Sequence, residues 1–391
     1  MIHAKLKQAI QSYNDELIEL RRKFHSEPEL SFEEYETTAF VCKYLENLGI
    51  PYHRTEPTGV IATIEGGKKG KTVALRADMD ALTVEELNTD LSYASKEEGK
   101  MHACGHDAHT AMLLIAAKSL NDIKEELPGK IRLIFQPAEE VAAGAKVMVE
   151  QGAMDGVDNV FGIHIWSQLP TGTVSCTPGP SFASADLFTV TFKGRGGHGA
   201  MPHACVDAAI VASSFVLNVQ SVVSRTIDPL QPAVLTVGKM VVGTRFNVIA
   251  ENAVIEGTVR CFDPAVRDHI EQQLQNYADQ VAATYGATAK VDYTRGTQAV
   301  INDEYSAKLV QKTAAEAFGA EVIYHEKPTM GGEDFSEYIM KAPGSFALVG
   351  SGNPEKDTQW AHHHGKFNVD EDALATGAEL YAQYAWAYLN K

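Results

Sequence analysis

Apolar residues near the start of the chain recur three or four positions apart, which is the period of an amphipathic helix. The pattern predicts helices over 6–25 and 35–48, and a Gly-Ile-Pro sequence ends the second one. Short β-rich runs then alternate with helical stretches. The predicted strands lie at 60–65, 72–76, 130–136 and 159–165, with helices at 109–120 and 144–151. This alternation is typical of an α/β layer built on a mostly parallel sheet.

The pattern changes after the Pro-Gly-Pro sequence at 178–180. The next elements follow the β-α-β-β-α-β order of a ferredoxin-like unit. Their predicted limits are 187–193, 205–223, 233–242, 252–261, 265–285 and 289–294, and a helix, a strand and a helix return at 304–318, 345–349 and 371–388. We therefore predict an α/β domain formed by 1–180 and 296–391, interrupted by an inserted α+β domain at 181–295.

Charge and cysteine content narrow the function classes. The chain has 391 residues, of which 34 are Lys or Arg and 51 are Asp or Glu, so its formal net charge is −17. Such a chain repels phosphate backbones and anionic lipid surfaces, which disfavours nucleic acid and membrane partners. No run approaches the roughly 18 apolar residues that span a bilayer, and the N-terminus lacks a signal-peptide core. With five cysteines at irregular spacing, we expect a cytoplasmic protein without a disulfide framework.

Four segments place metal-binding side chains on or just after predicted strands, or directly before a helix. They are Asp78-Met79-Asp80, Cys104-Gly105-His106, Glu139-Glu140 and His164. Taken singly, each has an ordinary explanation, such as a turn cap, a solvated surface pair or a hydrogen-bonded core histidine. In an α/β sheet, however, ligands bind beyond the carboxyl ends of the strands, where these segments can meet. Thiolate, imidazole and carboxylate groups together suit zinc and tolerate other transition ions, so the set predicts a metal site.

The adjacent Glu139 and Glu140 indicate the chemistry. One of them can bind metal while the other takes a proton from a metal-activated water and passes it to a leaving amine. The residues by themselves allow either glutamate either role. They predict a metal-dependent hydrolase of amide bonds. A rival interpretation treats Cys104 as a nucleophile paired with His106.

Six motifs occur in order along essentially the whole chain. They are HACGHDAHTAMLL, FQPAEE, GIHIW, GRGGHGAMPH, GGEDFSEY and HHHGKF. The set resembles the M20 metallopeptidase family, and most closely its aminoacylase, hippurate hydrolase and indole-acetyl-amino-acid hydrolase branch. The resemblance implies a mostly parallel-sheet di-metal catalytic domain that carries an inserted ferredoxin-like lid domain.

Carried over position by position, the resemblance divides the roles within the site. Glu139 becomes the general base and acid, and Asp80 matches an acidic position that orients the metal site in relatives. Four residues become metal ligands: Cys104, His106, Glu140 and His164.

The resemblance also implies a last ligand from the histidine run at 362–364. The branch places this histidine four residues before an aromatic, which selects His363 because Phe367 is the aromatic. Here His364-Gly365 replaces the pair usually found between them, so His364 stays an alternative. Two divalent ions are implied, with Zn²⁺ expected and Mn²⁺, Ni²⁺ or Co²⁺ as alternatives.

The lid is expected to contribute a second set of residues. His198, within Gly-Gly-His-Gly-Ala, matches a histidine that helps to stabilise the tetrahedral oxyanion. Asn247 and Arg260 match positions that bind the substrate carbonyl and α-carboxylate, and the loop containing Gly332 is expected beside the substrate. Many relatives dimerise through this domain, so a homodimer or higher homo-oligomer is expected.

The resulting functional prediction is hydrolysis of N-acyl-L-amino acids, such as N-acetyl or N-benzoyl compounds, to a carboxylate and a free amino acid. N-acetyl-diaminopimelate deacetylation needs the same residues and is the nearest rival. A dipeptidase would also need an acidic group to receive a free amino terminus, and no such residue stands out. A catalytically silent metal-binding homologue is the non-enzyme alternative, but the intact ligand set argues against it.

Overall fold

The computed structural model describes residues 2–391, which divide into two units. The first unit contains 2–181, Ile301–Lys327 and Asp334–Lys391, and the second contains Phe182–Val300 and Pro328–Glu333. The sequence prediction placed Pro328–Glu333 with 296–391. In the structure this short segment clusters with the second unit, because Ala183 donates its backbone N–H to Gly331 O at 3.0 Å and Phe182 forms a β-bridge with Thr329.

The first part of the first unit alternates helices and strands. The predicted helix over 6–25 is two helices, because Tyr13 leaves the helical conformation at φ −100° and ψ 9°. The helices are α1 (Ile2–Ser12), α2 (Asn14–Ser26), α3 (Tyr35–Asn47), α4 (His106–Asp122) and α5 (Gly144–Glu150). The strands are β1 (Tyr52–Arg54), β2 (Val60–Glu65), β3 (Lys68–Asp78), β4 (Pro128–Gln136), β5 (Asn159–Pro170), β6 (Val174–Ser175) and β7 (Gly179–Phe182), whose last residue is the first of the second unit.

The second unit has the β-α-β-β-α-β order that its sequence pattern predicts. Its elements are β8 (Ser184–Lys193), β9 (Gly197–His198), α6 (Ala208–Thr226), β10 (Ala233–Val242), β11 (Val248–Ile249), β12 (Asn252–Cys261), α7 (Pro264–Tyr285) and β13 (Thr288–Arg295). Four strands form an antiparallel sheet in the order β10-β12-β8-β13, which is the ferredoxin-like arrangement. The short strands β9 and β11 pair separately.

Helix α6 is 19 residues long and, among the described residues, is the one helix that passes a length-and-composition test for crossing a membrane. A core helix passes the same test, so this is weak evidence. Three of its apolar side chains, Val211, Phe215 and Val219, are fully buried in the core of the second unit. The pattern is that of an amphipathic helix packed on a sheet.

The chain completes the first unit with its remaining elements. They are β14 (Val300–Asn302), α8 (Glu304–Phe318), β15 (Ile323–Tyr324), α9 (Ser336–Ile339), β16 (Gly344–Gly352) and α10 (Asp372–Leu389). An eight-stranded sheet has the order β1-β2-β4-β3-β5-β16-β6-β15. Its central neighbours β4, β3, β5 and β16 are parallel, whereas β1 and β2 are antiparallel at one edge. The predicted α/β fold with a mostly parallel central sheet is confirmed.

This sheet brings the ends of three strands to one edge. Asp78 and Gln136, the last residues of β3 and β4, are register partners, and β5 runs parallel to β3 on its other side. Helix α4 packs on the sheet with nearly all of its side chains buried. Loops that leave this edge therefore start close together, as expected for parallel strands.

Candidate metal centre

The turn before helix α4 places Cys104 and His106 at this edge. Gly105 between them has φ +99°, a left-handed conformation that residues with a side chain rarely adopt. A Cβ there would also collide with the side chain of Ile165 on β5. Glycine is therefore required for both the turn and the close approach to the strand.

Helix α4 is tethered by a buried ion pair one residue after His106. Asp107 accepts hydrogen bonds from Arg21 Nε at 2.9 Å and from His25 Nδ1 at 2.8 Å, and all three side chains are fully buried. Although burial by itself raises the pKa of Asp107, the Arg21 guanidinium holds that pKa well below its usual range. The start of the helix that carries His106 is thus fixed to helix α2.

Asp80 binds several parts of the site at once. Its Oδ1 lies 3.2 Å from His106 Nδ1 and accepts the backbone N–H of Glu139 at 3.1 Å. Its Oδ2 accepts the backbone N–H of Glu140 at 3.0 Å and the hydroxyl of Ser31 at 2.6 Å. Burial raises the pKa of Asp80, but the hydrogen bonds from His106 and the other donors lower it by more than burial raises it. The net shift of the pKa is therefore downward. The ionised carboxylate orients His106 through Nδ1, which leaves Nε2 to face the other way.

The atoms that face one another in this space are metal-binding atoms. His106 Nε2 lies 3.9 Å from Glu140 Oε1, and both are buried and lack a hydrogen-bond partner. Glu139 Oε2 is also 3.9 Å from His106 Nε2. Cys104, His106 and Glu140 each offer one atom within 4.8 Å of the others. Two buried polar atoms without a hydrogen-bond partner, in a set of this composition, fit a divalent metal ion. Such an ion would bind both His106 Nε2 and Glu140 Oε1.

His164 lies beside Cys104 on the other side. Its Nδ1 is 2.6 Å from the backbone oxygen of Ile165, which fixes this nitrogen as the donor. Its Nε2 faces Cys104 Sγ at 3.5 Å with its lone pair. The structure therefore brings together four predicted ligands and the predicted base: Cys104, His106, Glu140, His164 and Glu139.

The anionic forms of the cluster's thiol and carboxylate are disfavoured by burial and would be stabilised by a nearby positive charge. Burial raises the pKa of the Cys104 thiol well above its ordinary value and raises that of Glu140 to about 7. Burial also lowers the pKa of His164, which keeps its imidazole neutral and able to ligate. A bound cation would favour the thiolate and carboxylate forms. Without one, a thiol with a raised pKa is a poor nucleophile, which argues against the cysteine-hydrolase interpretation.

Of the three histidines at 362–364, His363 and His362 have rings near this cluster. His363 has φ +67° and donates its backbone N–H to Ala103 O at 2.8 Å. Its Nε2 lies 3.5 Å from Glu140 Oε2. His364 instead stacks on Trp360, with ring centroids 4.6 Å apart.

The sequence prediction set His362 aside, but the structure places it close to the cluster. Its Nδ1 is 3.8 Å from Cys104 Sγ, and together with His164 these residues form a second possible ligand group. Its Nε2, however, accepts the backbone N–H of Ser167 at 3.4 Å. Nδ1 of His362 thus faces one predicted ligand, Cys104, while its Nε2 accepts a hydrogen bond, and Nε2 of His363 faces another predicted ligand, Glu140.

A buried row of charges beneath the site was not identified as a unit from the sequence. Asp78 Oδ1 lies 2.6 Å from His109 Nδ1, and Asp78 Oδ2 accepts a hydrogen bond from Arg76 at 2.6 Å. Arg76 also pairs with Asp334 at 3.1 Å, and His109 Nε2 accepts the backbone N–H of Ile165 at 2.7 Å. The i+3 spacing of His109 from His106 on one helix was the available signal. Because these groups bind one another, they brace the strand ends.

The second unit places its four predicted residues in two pairs. His198 on β9 is the register partner of Val248 on β11, and the adjacent Gly199 donates its N–H to Asn247 O at 2.9 Å. Arg260 on β12 approaches Gly332, where a Cβ would lie 3.1 Å from Arg260 Nη1. Gly332 therefore leaves room for the guanidinium. His198 and Asn247 are exposed, and Arg260 is half-buried.

The chain thus combines an α/β layer, whose strand ends carry side chains able to bind metal, with a ferredoxin-like unit. The chain belongs to the family described as Peptidase family M20/M25/M40, whose pattern matches residues 74–387. The resemblance drawn from the motifs is thus confirmed, and the chain is a hydrolase of this family.

Similarity to individual proteins extends over nearly the whole chain. The N-acetyl-L-cysteine deacetylase of Bacillus subtilis is 46% identical over 360 residues, which is 92% of this chain and 85% of that protein. Thermostable carboxypeptidase 1 of Saccharolobus solfataricus is 41% identical and covers 99% of both chains. The crystal structure of the YXEP protein of Bacillus subtilis, a dinuclear metal-binding peptidase from the M20 family, superposes with a TM-score of 0.87. That structure is 36% identical and covers 97% of this chain and 99% of its own.

Proposed function

We propose that the protein hydrolyses the amide bond of N-acyl-L-amino acids to a carboxylate and a free amino acid. The observation that carries this is the adjacent pair Glu139 and Glu140, whose carboxylates both lie 3.9 Å from His106 Nε2. Two carboxylates at one position of the backbone can divide ligation and proton transfer between them. The likeness to a deacetylase of an N-acetylated amino acid supports the substrate class.

In this proposal five residues hold two divalent metal ions, with Zn²⁺ first and Mn²⁺, Ni²⁺ or Co²⁺ as alternatives. They are Cys104, His106, Glu140, His164 and His363. When bound, the ions would polarise the amide carbonyl and lower the pKa of a water molecule. Asp80 orients His106 and the backbone of both glutamates. His363 is preferred to His364, because the ring of His364 lies against Trp360.

Glu139 performs the proton transfers. It takes a proton from the attacking water as the carbon–oxygen bond forms, and delivers that proton to the amide nitrogen as the carbon–nitrogen bond breaks. Its side chain is 11% exposed, so solvent competes little for the proton. The immediate products are the carboxylic acid of the acyl group and the amine of the amino acid, and the acid's remaining proton then passes to the amine to give a carboxylate and an ammonium group.

The second unit supplies the remaining contacts in this proposal. His198 donates a hydrogen bond to the developing oxyanion, and Asn247 binds the substrate carbonyl. Arg260 binds the α-carboxylate, with Gly332 giving its guanidinium space. In this proposal, recognition of a free α-carboxylate favours amino-acid conjugates over simple amides.

A carboxypeptidase is the second candidate, because a relative of that name matches the full length of this chain. The chemistry and the α-carboxylate contact would be the same. The difference lies on the other side of the scissile bond, where a dipeptide presents a charged amino group. N-Acyl amino acids and their free-amino dipeptide counterparts therefore separate the two candidates.

The testing experiment combines metal analysis with a substrate panel of N-acetyl amino acids, N-benzoyl amino acids, N-acetyl-diaminopimelate and dipeptides. We expect two metal equivalents per chain and the highest kcat/KM on one of the simple N-acyl amino acids. Chelation should abolish activity, and Zn²⁺ or Mn²⁺ should restore it. A metal-loaded protein inactive on the whole panel would contradict the proposal, and activity that survives complete metal removal would favour the Cys104 nucleophile.

We further propose a homodimer that forms through the second unit. Helix α6 exposes Ile210 and Leu217, with 53% and 76% of their surface accessible. Beside them, a groove of about 520 Å³ between α6 and α7 is lined by uncharged side chains, including Asn218 and Tyr277. An uncharged surface lets two chains of net charge −17 approach without local repulsion. Light scattering on the purified protein, which measures the mass of the particle in solution, tests this dimer. The cytoplasmic location stays a prediction.

A further inference from the structure

The segment between helices α2 and α3 contains none of the predicted site residues, yet it carries a fully buried carboxylate. Glu34 is 0% exposed and stands directly before α3. Its side chain does not cap that helix. A carboxylate buried this deeply needs other partners to offset the loss of water.

The partner of Glu34 is the loop that carries the two site glutamates. Its Oε1 accepts the backbone N–H of Ala138 at 2.9 Å, and its Oε2 accepts the hydroxyl of Thr58 at 2.6 Å. Ala138 directly precedes Glu139 and has φ +54°, a conformation that side-chain-bearing residues rarely adopt. The hydrogen bond that Glu34 accepts therefore acts at one of the two alanines of this loop in the left-handed conformation, the other being Ala142 at φ +53°.

The loop also closes on itself. Gly144 donates its N–H to Ala138 O at 3.1 Å, and Ala142 donates to Glu139 O at 2.7 Å. A Cβ at Gly144 would collide with the backbone oxygen of Pro137. The turn is therefore compact, and its orientation depends on the groups that hold its outer N–H groups.

Three successive N–H groups of this turn end on two buried carboxylates. Ala138 donates to Glu34, and Glu139 and Glu140 donate to Asp80. Ser31, from the same segment as Glu34, donates its hydroxyl to Asp80 at 2.6 Å. Both carboxylates thus depend on the segment between α2 and α3 or belong to it.

We propose that Glu34 is a positioning residue: together with Asp80 it fixes the backbone of 138–140 and thereby the directions of the Glu139 and Glu140 side chains. The proposal rests on the proposed function only for the roles of these two glutamates. The strained turn, held by the two carboxylates, keeps the proposed ligand Glu140 and the proposed base Glu139 in fixed positions. Loss of the hydrogen bond to one carboxylate lets the turn relax.

Two substitutions distinguish hydrogen bonding from the mere presence of a buried side chain. Glu34→Ala removes the acceptor for Ala138. Glu34→Gln keeps a carbonyl oxygen for that N–H, and its amide group can donate to Thr58, whose hydroxyl can rotate to accept. Burial raises the pKa of Glu34 to about 7, so the uncharged amide is a close substitute for this group.

Glu379 on helix α10 provides the matched control. Its carboxylate is 5% exposed and accepts a hydrogen bond from Gln383 at 3.2 Å. Glu379→Ala removes a buried carboxylate from the same unit without touching the loop at 137–144. It should lower the unfolding temperature while leaving kcat at the parental value.

The experiment measures kcat, KM, metal affinity and backbone hydrogen exchange on the full chain. We expect Glu34→Ala to lower kcat, metal affinity or both by about 10–100-fold, with little change in KM. Peptides covering 137–144 should lose exchange protection in this variant alone, and Glu34→Gln should behave as the parent.

Parental exchange and metal affinity in a folded Glu34→Ala variant would overturn the proposal. The same defects in Glu34→Gln, or in the Glu379 control, would overturn it too. If the parent protein hydrolyses no N-acyl amino acid, the proposed function fails. Exchange and metal affinity then still decide the role of Glu34.

Discussion

With the exception of His363, whose side chain is 54% exposed, the candidate residues of the first unit lie in a buried network, whereas those of the second unit are more accessible. In the first unit, His106 and Asp80 are buried, the Glu140 side chain is 8% exposed, and the three are linked by hydrogen bonds or polar contacts. In the second unit, His198 and Asn247 are exposed and Arg260 is half-buried. Under the proposed function, this difference separates groups that are fixed before a ligand binds from groups that stay hydrated until one binds.

The physical reason is the cost of burying charge. A carboxylate or imidazole removed from water needs partners, so the buried cluster requires Asp80, Glu34 and the braces behind them. An exposed side chain keeps its water and needs no such network. Substitutions of the residues that hold this buried cluster should therefore change metal binding or turnover together with local structure. Those in the second unit should change kinetics alone.

The largest expected effect follows Glu139→Gln. Removing the proton acceptor should lower kcat by about 10²–10⁴-fold, because general acid–base catalysis contributes that much. Metal content should stay at the parental level, since Glu140 and not Glu139 is the proposed ligand. Steady-state kinetics and metal analysis on the same preparation check both points. Substantial turnover in this variant would exclude the proton-transfer role.

His198→Ala should lower kcat by about 10²–10³-fold, the usual effect of losing one oxyanion donor. Because His198 is exposed in its own unit, metal content and unfolding temperature should not change. Kinetics, metal analysis and thermal unfolding together provide the measurement. A loss of bound metal would break the distinction between the two units.

His363→Ala should weaken binding of at least one metal ion, and His364→Ala should leave it unchanged. The ring of His363 faces Glu140 at 3.5 Å, whereas that of His364 stacks on Trp360. Titration of the metal-free protein with Zn²⁺ measures this. His362→Ala belongs in the same series, and a larger loss there would make His362 the C-terminal ligand.

Arg260→Ala should raise KM by about 10–100-fold for substrates with a free α-carboxylate, as expected for a lost charged hydrogen bond of about 1.5–3 kcal/mol. The matched carboxamide substrate is the control, because it offers no anion to the guanidinium. An equal rise in KM for both substrates would rule out direct carboxylate recognition. Metal content should again be unchanged.

Much of the architecture was predictable from local pattern. Alternating strands and helices predicted the α/β layer, and the β-α-β-β-α-β order predicted the second unit. Periodicity could not show the break at Tyr13, because the apolar spacing continues across it. Nor could it assign Pro328–Glu333, whose hydrogen bonds to the second unit join residues far apart in sequence.

The site divides in the same way. The sequence by itself determined which residues could ligate metal, because thiol, imidazole and carboxylate groups in ordered motifs carry that chemistry wherever they fold. Only the tertiary structure decided which atoms meet: His106 Nε2 facing Glu140, His363 rather than His364 at that carboxylate, and His362 beside Cys104. It also revealed Glu34, more than a hundred residues from the loop it holds. Such a contact depends on strand order and burial, which bring distant segments together and which no local pattern encodes.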